Sequence, residues 1–172
     1  APHASYNVTQ SYGLCVAILA WVMQRVRTPE SQANSPEDYA AISVKSDLET
    51  QSVEALPWGI KTIGQAGKAP KNVDFSGFTA FKFLTWLRDA SCHGDARQIF
   101  PVNKGGSLIG FEFRAKARGD RERSLFLNEQ DLRRIGKGLA NLFCSALQVA
   151  ASEGPDAFAN DARSILENRR TA

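Results

Sequence analysis

The segment that most constrains the fold lies at residues 106–151, where alternating strand patterns are followed by an amphipathic helix pattern. Apolar and charged side chains alternate along residues 109–118. This two-residue period is typical of a strand with one buried and one exposed face. A Gly-Asp turn and a second apolar run at 123–127 predict an antiparallel return strand. Asn128 is a natural N-cap for a helix whose apolar residues then recur at spacings of three and four. The segment therefore predicts a two-faced antiparallel sheet whose apolar side is covered by a helix.

Positive charge is concentrated in the same segment, although the whole chain carries a formal net charge of only +3. Residues 114–137 include eight Lys and Arg residues and four Asp and Glu residues, so this window carries 8 − 4 = +4. The eight basic residues are Arg114, Lys116, Arg118, Arg121, Arg123, Arg133, Arg134 and Lys137. A local excess of this kind favours a polyanionic partner. The alternative is an ordinary charged surface that keeps the protein soluble.

A row of cations on the predicted strand is the most specific candidate site. Arg114, Lys116 and Arg118 share the polar face at intervals of about 7 Å, close to the phosphate spacing along a single strand. Contacts to phosphates bind without sequence preference and weaken with salt. Further candidates lie on turns and neighbouring strands: Arg121, Arg123, Lys61, Lys68, Lys71 and Lys104, with Trp58 as a stacking residue. The alternatives are a solvated strand face of mixed charge and, for Trp58, a half-buried edge position.

No catalytic motif competes with this basic strand. Cys92-His93 is the only adjacent pair of a nucleophile and a base, and neighbouring side chains diverge on a strand or a helix. The glycine-rich segments do not match the patterns of phosphate-binding loops or dinucleotide folds. Three scattered cysteines and two histidines lack the spacing of a metal site. We therefore expect no enzyme, no cofactor and no metal, with a dispersed active site as the remaining alternative.

Cysteine usage and hydropathy indicate the compartment. The cysteine count is odd and no CxxC occurs, which predicts no disulfide framework and a reducing interior compartment. Cys15 and Cys144 lie in apolar helical runs and are predicted to be small buried hydrophobes. The longest apolar run, residues 14–23, is too short to span a bilayer, so no membrane partner is expected.

The chain is predicted to be α+β, with two strand–helix halves packed on one core. A β-prone zone at 41–63 and a helix at 77–90 capped by Ser76 would form the first half, and residues 98–147 the second. The expected organisation is an N-terminal lead with a short helix and a loop (1–40), the strand–helix domain (41–151) and a charged C-terminal helix or tail (152–172).

The order of elements across residues 42–151 resembles the Whirly-type single-stranded nucleic-acid-binding proteins. Among them, it is most similar to the kinetoplastid mitochondrial RNA-binding proteins, which anneal guide RNA to pre-mRNA. The resemblance rests on the basic strand GFEFRAKAR and on the strand–helix ending SLFLNEQDLRRIGKGLANLF. The Lys-Gly-Lys-Ala-Ala-Leu motif of the plant members is absent.

The resemblance implies a Whirly-like fold of antiparallel sheets and a tetramer of identical or related subunits in the mitochondrial matrix. It implies sequence-nonspecific binding of single-stranded RNA through its backbone, which would promote guide RNA/mRNA annealing in mitochondrial RNA editing or processing. The positions carried over are Arg114, Lys116, Arg118, Lys68 and Lys104. The residues themselves do not distinguish RNA from single-stranded DNA. The alternative function is an oligomeric scaffold or protein-interaction subunit without nucleic-acid contact, whose interface would be the helix at 132–147.

Overall fold

A computed structural model describes residues 3–53, 75, 77–92, 98–116 and 122–170, and side chains within 7–53, 75, 77–92, 98–116 and 122–152. The described residues form four α-helices and a three-stranded antiparallel sheet, which confirms the predicted α+β class. In chain order the elements are α1 (His3–Arg25), a 3₁₀ turn (Glu30–Gln32), α2 (Pro36–Thr50), α3 (Ala80–Cys92), β1 (Ile99–Lys104), β2 (Ser107–Lys116), β3 (Glu122–Asn128) and α4 (Glu129–Arg170). None of these helices is long and apolar enough to cross a membrane.

A tight glycine turn joins β1 to β2, as the NKGG sequence predicts. Gly105 and Gly106 have φ angles of +57° and +79°. Two successive positive φ angles are typical of the turn whose twist matches that of the flanking antiparallel strands. β2 is the central strand and pairs antiparallel with β1 on one side and β3 on the other.

One face of the sheet packs against the helices and forms part of the core. Phe111 of β2 contacts Tyr12 of α1, with ring centroids 4.5 Å apart. The indole Nε1 of Trp86 on α3 donates a hydrogen bond to the carbonyl oxygen of Ala115, at 3.1 Å. Buried and exposed side chains alternate along residues 113–116, which confirms the alternation predicted for this strand.

The opposite face of the sheet has a close contact between neighbouring strands at Gly110. A Cβ at this position would lie 2.3 Å from the carbonyl oxygen of Leu127 and 2.8 Å from the ring of Phe126. Phe126 is 6% exposed, so the glycine makes room for an aromatic ring laid across it. An aromatic ring that covers a glycine on the adjacent strand stabilises a sheet and fixes its register.

Asn128 caps α4 through a reciprocal pair of hydrogen bonds. Its Oδ1 accepts from the Asp131 backbone N–H at 2.9 Å, and Asp131 Oδ2 accepts from the Asn128 N–H at 3.2 Å. This arrangement satisfies two helix-terminal donors and confirms the predicted N-cap. Gly136 allows α4 to approach α1 closely, since a Cβ there would lie 3.3 Å from the Cα of Cys15.

Helix α4 differs from the prediction at its end and in its exposure. It continues without a break to Arg170, whereas a helix at 132–147 and a separate C-terminal helix or tail at 152–172 were expected. Its apolar residues are buried within the chain: Leu132, Ile135, Leu139 and Phe143 are all 3% exposed or less. The apolar side of the helix at 132–147, which the sequence suggested as an oligomer interface, packs on α1 and α2 within the chain.

Helix α2 occupies residues where the sequence pattern predicted the first strand, so the β-prone interpretation of residues 41–44 is wrong. Ser35 caps the helix: its Oγ accepts from the Asp38 N–H at 3.3 Å and donates to Asp38 Oδ2 at 2.8 Å. Pro36 follows at the first helical position, where its missing N–H costs nothing. Buried residues at helical spacing complete the signal: Ala40, Ala41, Val44 and Leu48.

Helix α1 is longer than predicted and contributes to the core. It begins at His3 and spans 23 residues, whereas only a short helix was expected within the N-terminal lead. Its buried side includes Leu19, Met23 and Val26, which lie in one cluster with residues of the sheet and the other helices. The boundary expected at residue 40 falls within α2, and the one expected after residue 151 falls within α4.

Helix α3 begins three residues later than expected. Thr79 precedes it, and Thr79 Oγ1 accepts a hydrogen bond from the Lys82 N–H at 3.2 Å, which makes Thr79 the N-cap. The rings of Phe75 and Trp86 meet edge to face with centroids 4.9 Å apart, within a buried aromatic cluster. Ser76, and the strands predicted beyond residue 53 and before Phe75, lie outside the described residues.

We expect Gly110→Ala to destabilise the protein by about 1–3 kcal/mol, because the added methyl group would overlap a backbone oxygen of the neighbouring strand. Urea denaturation followed by circular dichroism measures the change. Gly13→Ala is the matched control. It places the same methyl group on α1 with no atom within 4 Å, and it is expected to be neutral or to stabilise by up to about 1 kcal/mol. Equal stability of the two variants would contradict the close contact at Gly110.

Candidate nucleic-acid interface

The outer face is the side of the sheet turned away from the helices. The strand register places on it Phe100 and Val102 of β1, Gly110, Glu112, Arg114 and Lys116 of β2, and Glu122, Ser124 and Phe126 of β3. Its members combine two cations, two carboxylates and two aromatic rings. The inner, helix-facing side carries the opposite set of positions, including Phe113 and Leu125.

Arg114 lies on the outer face of the central strand β2 and is held in a defined position. Its guanidinium stacks over the ring of Phe100, 4.4 Å from the ring centroid. Its Nε donates to Glu112 Oε1 at 2.8 Å, and the same oxygen accepts from Ser124 Oγ at 2.7 Å. The hydrogen bond to Glu112 raises the pKa of Arg114, so the group stays charged. Its side chain is 45% exposed, which leaves donors for an anion.

Lys116 extends this cationic position toward the end of the strand. It is exposed and lies two residues beyond Arg114 on the same face, a distance of about 7 Å. Its cross-strand neighbour is the exposed Glu122. The two cations and two carboxylates of the outer face therefore balance, 2 − 2 = 0. The intervening sequence 117–121 contains two further basic residues, Arg118 and Arg121, and one acid, Asp120.

Arg123 lies on the other side of the sheet from Arg114. It pairs with Ala115, so its side chain points to the inner face, where it is 7% exposed. Its guanidinium lies over the rings of Phe78 and Phe75, at 4.5 and 5.8 Å from their centroids. The structure therefore does not bring Arg123 together with Arg114 and Lys116. The Arg123 guanidinium instead covers the aromatic cluster that contains Phe75 and Phe78.

Seven predicted contact residues remain. One is a lysine far from Arg114, and six lie outside the residues that the structure describes. Lys104 is exposed beside the glycine turn, at the opposite end of β2 from Lys116. Ten residues of strand separate them by about 30 Å. Arg118, Arg121, Lys61, Lys68, Lys71 and Trp58 lie outside the described residues.

Two basic residues of α4 are engaged within the chain rather than with the outer face. Arg133 bonds Glu129 at 2.9 Å and Ser11 Oγ at 3.1 Å. Arg134 lies 3.4 Å from Asp131. The basic residues that lie close together in the sequence at 114–137 are therefore divided between the sheet and α4.

Phe100 is the residue of this site that the sequence pattern missed, and the reason is a register shift. An uninterrupted hairpin closed by Lys104 and Ser107 would place Phe100 opposite Phe111. The register shifts by one residue between Val102 and Asn103, which places Phe100 opposite Glu112 instead. Because a one-residue slip exchanges the two faces of a strand, this irregularity puts Phe100 beside Arg114.

The cysteines do not form a reactive centre in the described part of the chain. All three thiols are free; Cys15 is buried, whereas Cys92 and Cys144 are exposed. The prediction of a buried Cys144 is wrong because Cys144 follows the buried Phe143 and lies on the outer side of α4. His93 lies outside the described residues, and the residues that are described hold no cluster of three or more His, Cys, Asp or Glu.

Comparison with known proteins assigns no family. The chain matches no protein-family model, no curated protein sequence and no solved structure. Function is therefore inferred from the chemistry of the outer face.

We expect the three thiols to differ in alkylation rate at pH 8. Burial raises the pKa of Cys15 to about 12, and partial burial raises that of Cys92 to a smaller degree. The thiolate is the nucleophile, so only about one Cys15 in 10⁴ would be reactive at this pH even if it were accessible. Iodoacetamide labelling read by peptide mass spectrometry should modify Cys144 first, Cys92 more slowly and Cys15 only after unfolding. Labelling of Cys15 at the rate of Cys144 would contradict its burial beneath α4.

Proposed function

We propose that this protein binds single-stranded nucleic acid along the outer face of its sheet, without sequence preference. The observation that carries the proposal is the exposed Arg114 guanidinium, stacked on Phe100 and oriented by Glu112. A planar cation held against an aromatic ring offers two kinds of contact to a single strand. Its edge donates hydrogen bonds to a phosphate, and its free face stacks under a base.

The ion pair with Glu112 does not close this site to a phosphate. Exposed ion pairs contribute only about 0–1 kcal/mol, so a phosphate can replace or share the carboxylate at little cost. Glu112 also keeps its second partner, Ser124, when Arg114 turns toward a ligand. Lys116 lies two residues further along the strand on the same face, and it supplies the next phosphate contact.

The resemblance to the Whirly-type proteins extends this proposal to a biological role. On that basis we propose that the ligand is single-stranded RNA, including guide RNA, and that binding promotes annealing in mitochondrial RNA editing or processing. On the same basis we propose a second, Whirly-like strand–helix unit and a tetrameric assembly. Helix α2 fills residues 36–50, so those residues do not supply strands to that unit.

We expect the double variant Arg114→Glu/Lys116→Glu to lose roughly 10- to 100-fold in affinity for a fluorescent single strand at about 50 mM salt. Two phosphate contacts are removed and two repulsive carboxylates are added. The slope of log affinity against log salt should also become shallower by about 1.4, since each single-strand contact contributes about 0.7. Fluorescence anisotropy over a salt series measures both quantities.

The matched control is Lys45→Glu/Lys137→Glu, which changes the formal net charge by the same four units, from +3 to −1, but on α2 and α4. It should keep most of the affinity. Equal losses in the two double variants would mean that binding responds only to net charge, and an unmodified protein without affinity at 50 mM salt would overturn the proposed function.

A further inference from the structure

The carboxylate of Glu112 lies inside the proposed phosphate site, although it carries the same sign of charge as the ligand. Its Oε1 accepts hydrogen bonds from Arg114 Nε at 2.8 Å and from Ser124 Oγ at 2.7 Å. A carboxylate close to a bound phosphate repels it. On charge alone, Glu112 would therefore weaken the binding of single-stranded nucleic acid.

Contacts from all three strands hold the Arg114 side chain. Phe100 of β1 lies opposite Glu112 of β2, and Ser124 of β3 lies opposite Arg114. Ser124 is only 6% exposed, so its hydroxyl donates to the carboxylate from a packed position. The carboxylate in turn holds Nε, and the Phe100 ring lies 4.4 Å from the guanidinium carbon. The guanidinium is thus held at one edge and on one face.

The hydrogen bond to Glu112 uses Nε and leaves the outer end of the guanidinium to a ligand. The Arg114 side chain is 45% exposed, and the Nη1 and Nη2 groups at its end carry the remaining N–H donors. A phosphodiester presents two non-bridging oxygens, which match a pair of guanidinium N–H groups. A phosphate can therefore bind the end of the guanidinium while Nε keeps its bond to Glu112.

We propose that Glu112 is a positioning residue of this site, which strengthens phosphate binding because it orders Arg114 before the ligand arrives. This inference rests on the proposed function. An unrestrained arginine loses rotamer freedom when it binds, at a cost of roughly 10- to 30-fold in affinity. Ordering the side chain in advance removes most of that cost. Repulsion between a partly exposed carboxylate and a phosphate opposes binding by only about 2- to 3-fold at moderate salt.

Glu112→Ala and Glu122→Ala form a matched pair that separates ordering from charge. Each removes one carboxylate from the outer face and raises the formal net charge from +3 to +4. Glu112→Ala should weaken binding of a fluorescent single strand about 3- to 10-fold at about 50 mM salt, because Arg114 loses its restraint. Glu122→Ala should tighten binding about 2-fold, because it only removes a repulsive charge. Fluorescence anisotropy measures both affinities.

Two further variants keep the test decisive if Glu112→Ala does not fold. Glu112→Gln carries the same charge as Glu112→Ala but keeps an oxygen acceptor for Arg114 Nε, so it should bind about 3-fold or more tighter than Glu112→Ala. Ser124→Ala leaves the net charge unchanged and removes the second partner of the Glu112 carboxylate, so it should weaken binding about 2-fold. Circular dichroism verifies that each variant is folded.

NMR of the ¹⁵N-labelled protein without ligand measures the ordering itself. The heteronuclear NOE of Arg114 Nε should be close to that of the sheet backbone in the unmodified protein, and it should fall toward that of a mobile side chain in Glu112→Ala. The inference is overturned if Glu112→Ala or Ser124→Ala binds as tightly as the unmodified protein, or if the NOE does not fall. An unmodified protein without affinity at 50 mM salt would overturn the proposed function, and this inference with it.

Discussion

The contact between β2 and the helices behind it determines what each side of this molecule can do. Trp86 buries its indole against the sheet, and its N–H finds a partner in the Ala115 carbonyl. A buried indole donor without an acceptor would cost about 1–3 kcal/mol, so this bond fixes how α3 lies on the strand. Tyr12 packs on Phe111 of the same strand and fixes α1 there as well. With Phe113 and Ala115 facing these helices, the alternate residues of β2 face outward.

Two surfaces of different chemistry follow from that arrangement. The outer face carries an ordered cation on an aromatic ring, beside a second exposed cation. The far side carries the exposed face of α1, where the Arg25 guanidinium lies over the ring of Trp21. The core separates the two surfaces.

Local chemistry explains which features could be predicted from the sequence. The NKGG turn, the alternation of β2 and the Asn128 cap depend on neighbouring residues, and all three are confirmed. The errors arise where position depends on register or on competing local signals. Ser35 and Pro36 begin a helix where β-branched residues suggested a strand. One shifted residue in β1 brings Phe100 to the outer face. The pairing of β3 turns Arg123 inward, although its place beside a basic hairpin suggested a surface contact.

The most direct test of the central claim is an NMR titration of the ¹⁵N-labelled protein with a short single-stranded oligonucleotide at low salt, following the Arg114 Nε–Hε signal. This group bonds Glu112 on the outer face, and it should report directly when a phosphate replaces or shares that carboxylate. The account predicts a saturable shift of this signal, accompanied by shifts in the amides near Phe100 and Lys116 and by none along the exposed face of α1. An unchanged Arg114 signal at saturating oligonucleotide, or shifts confined to α1, would contradict it.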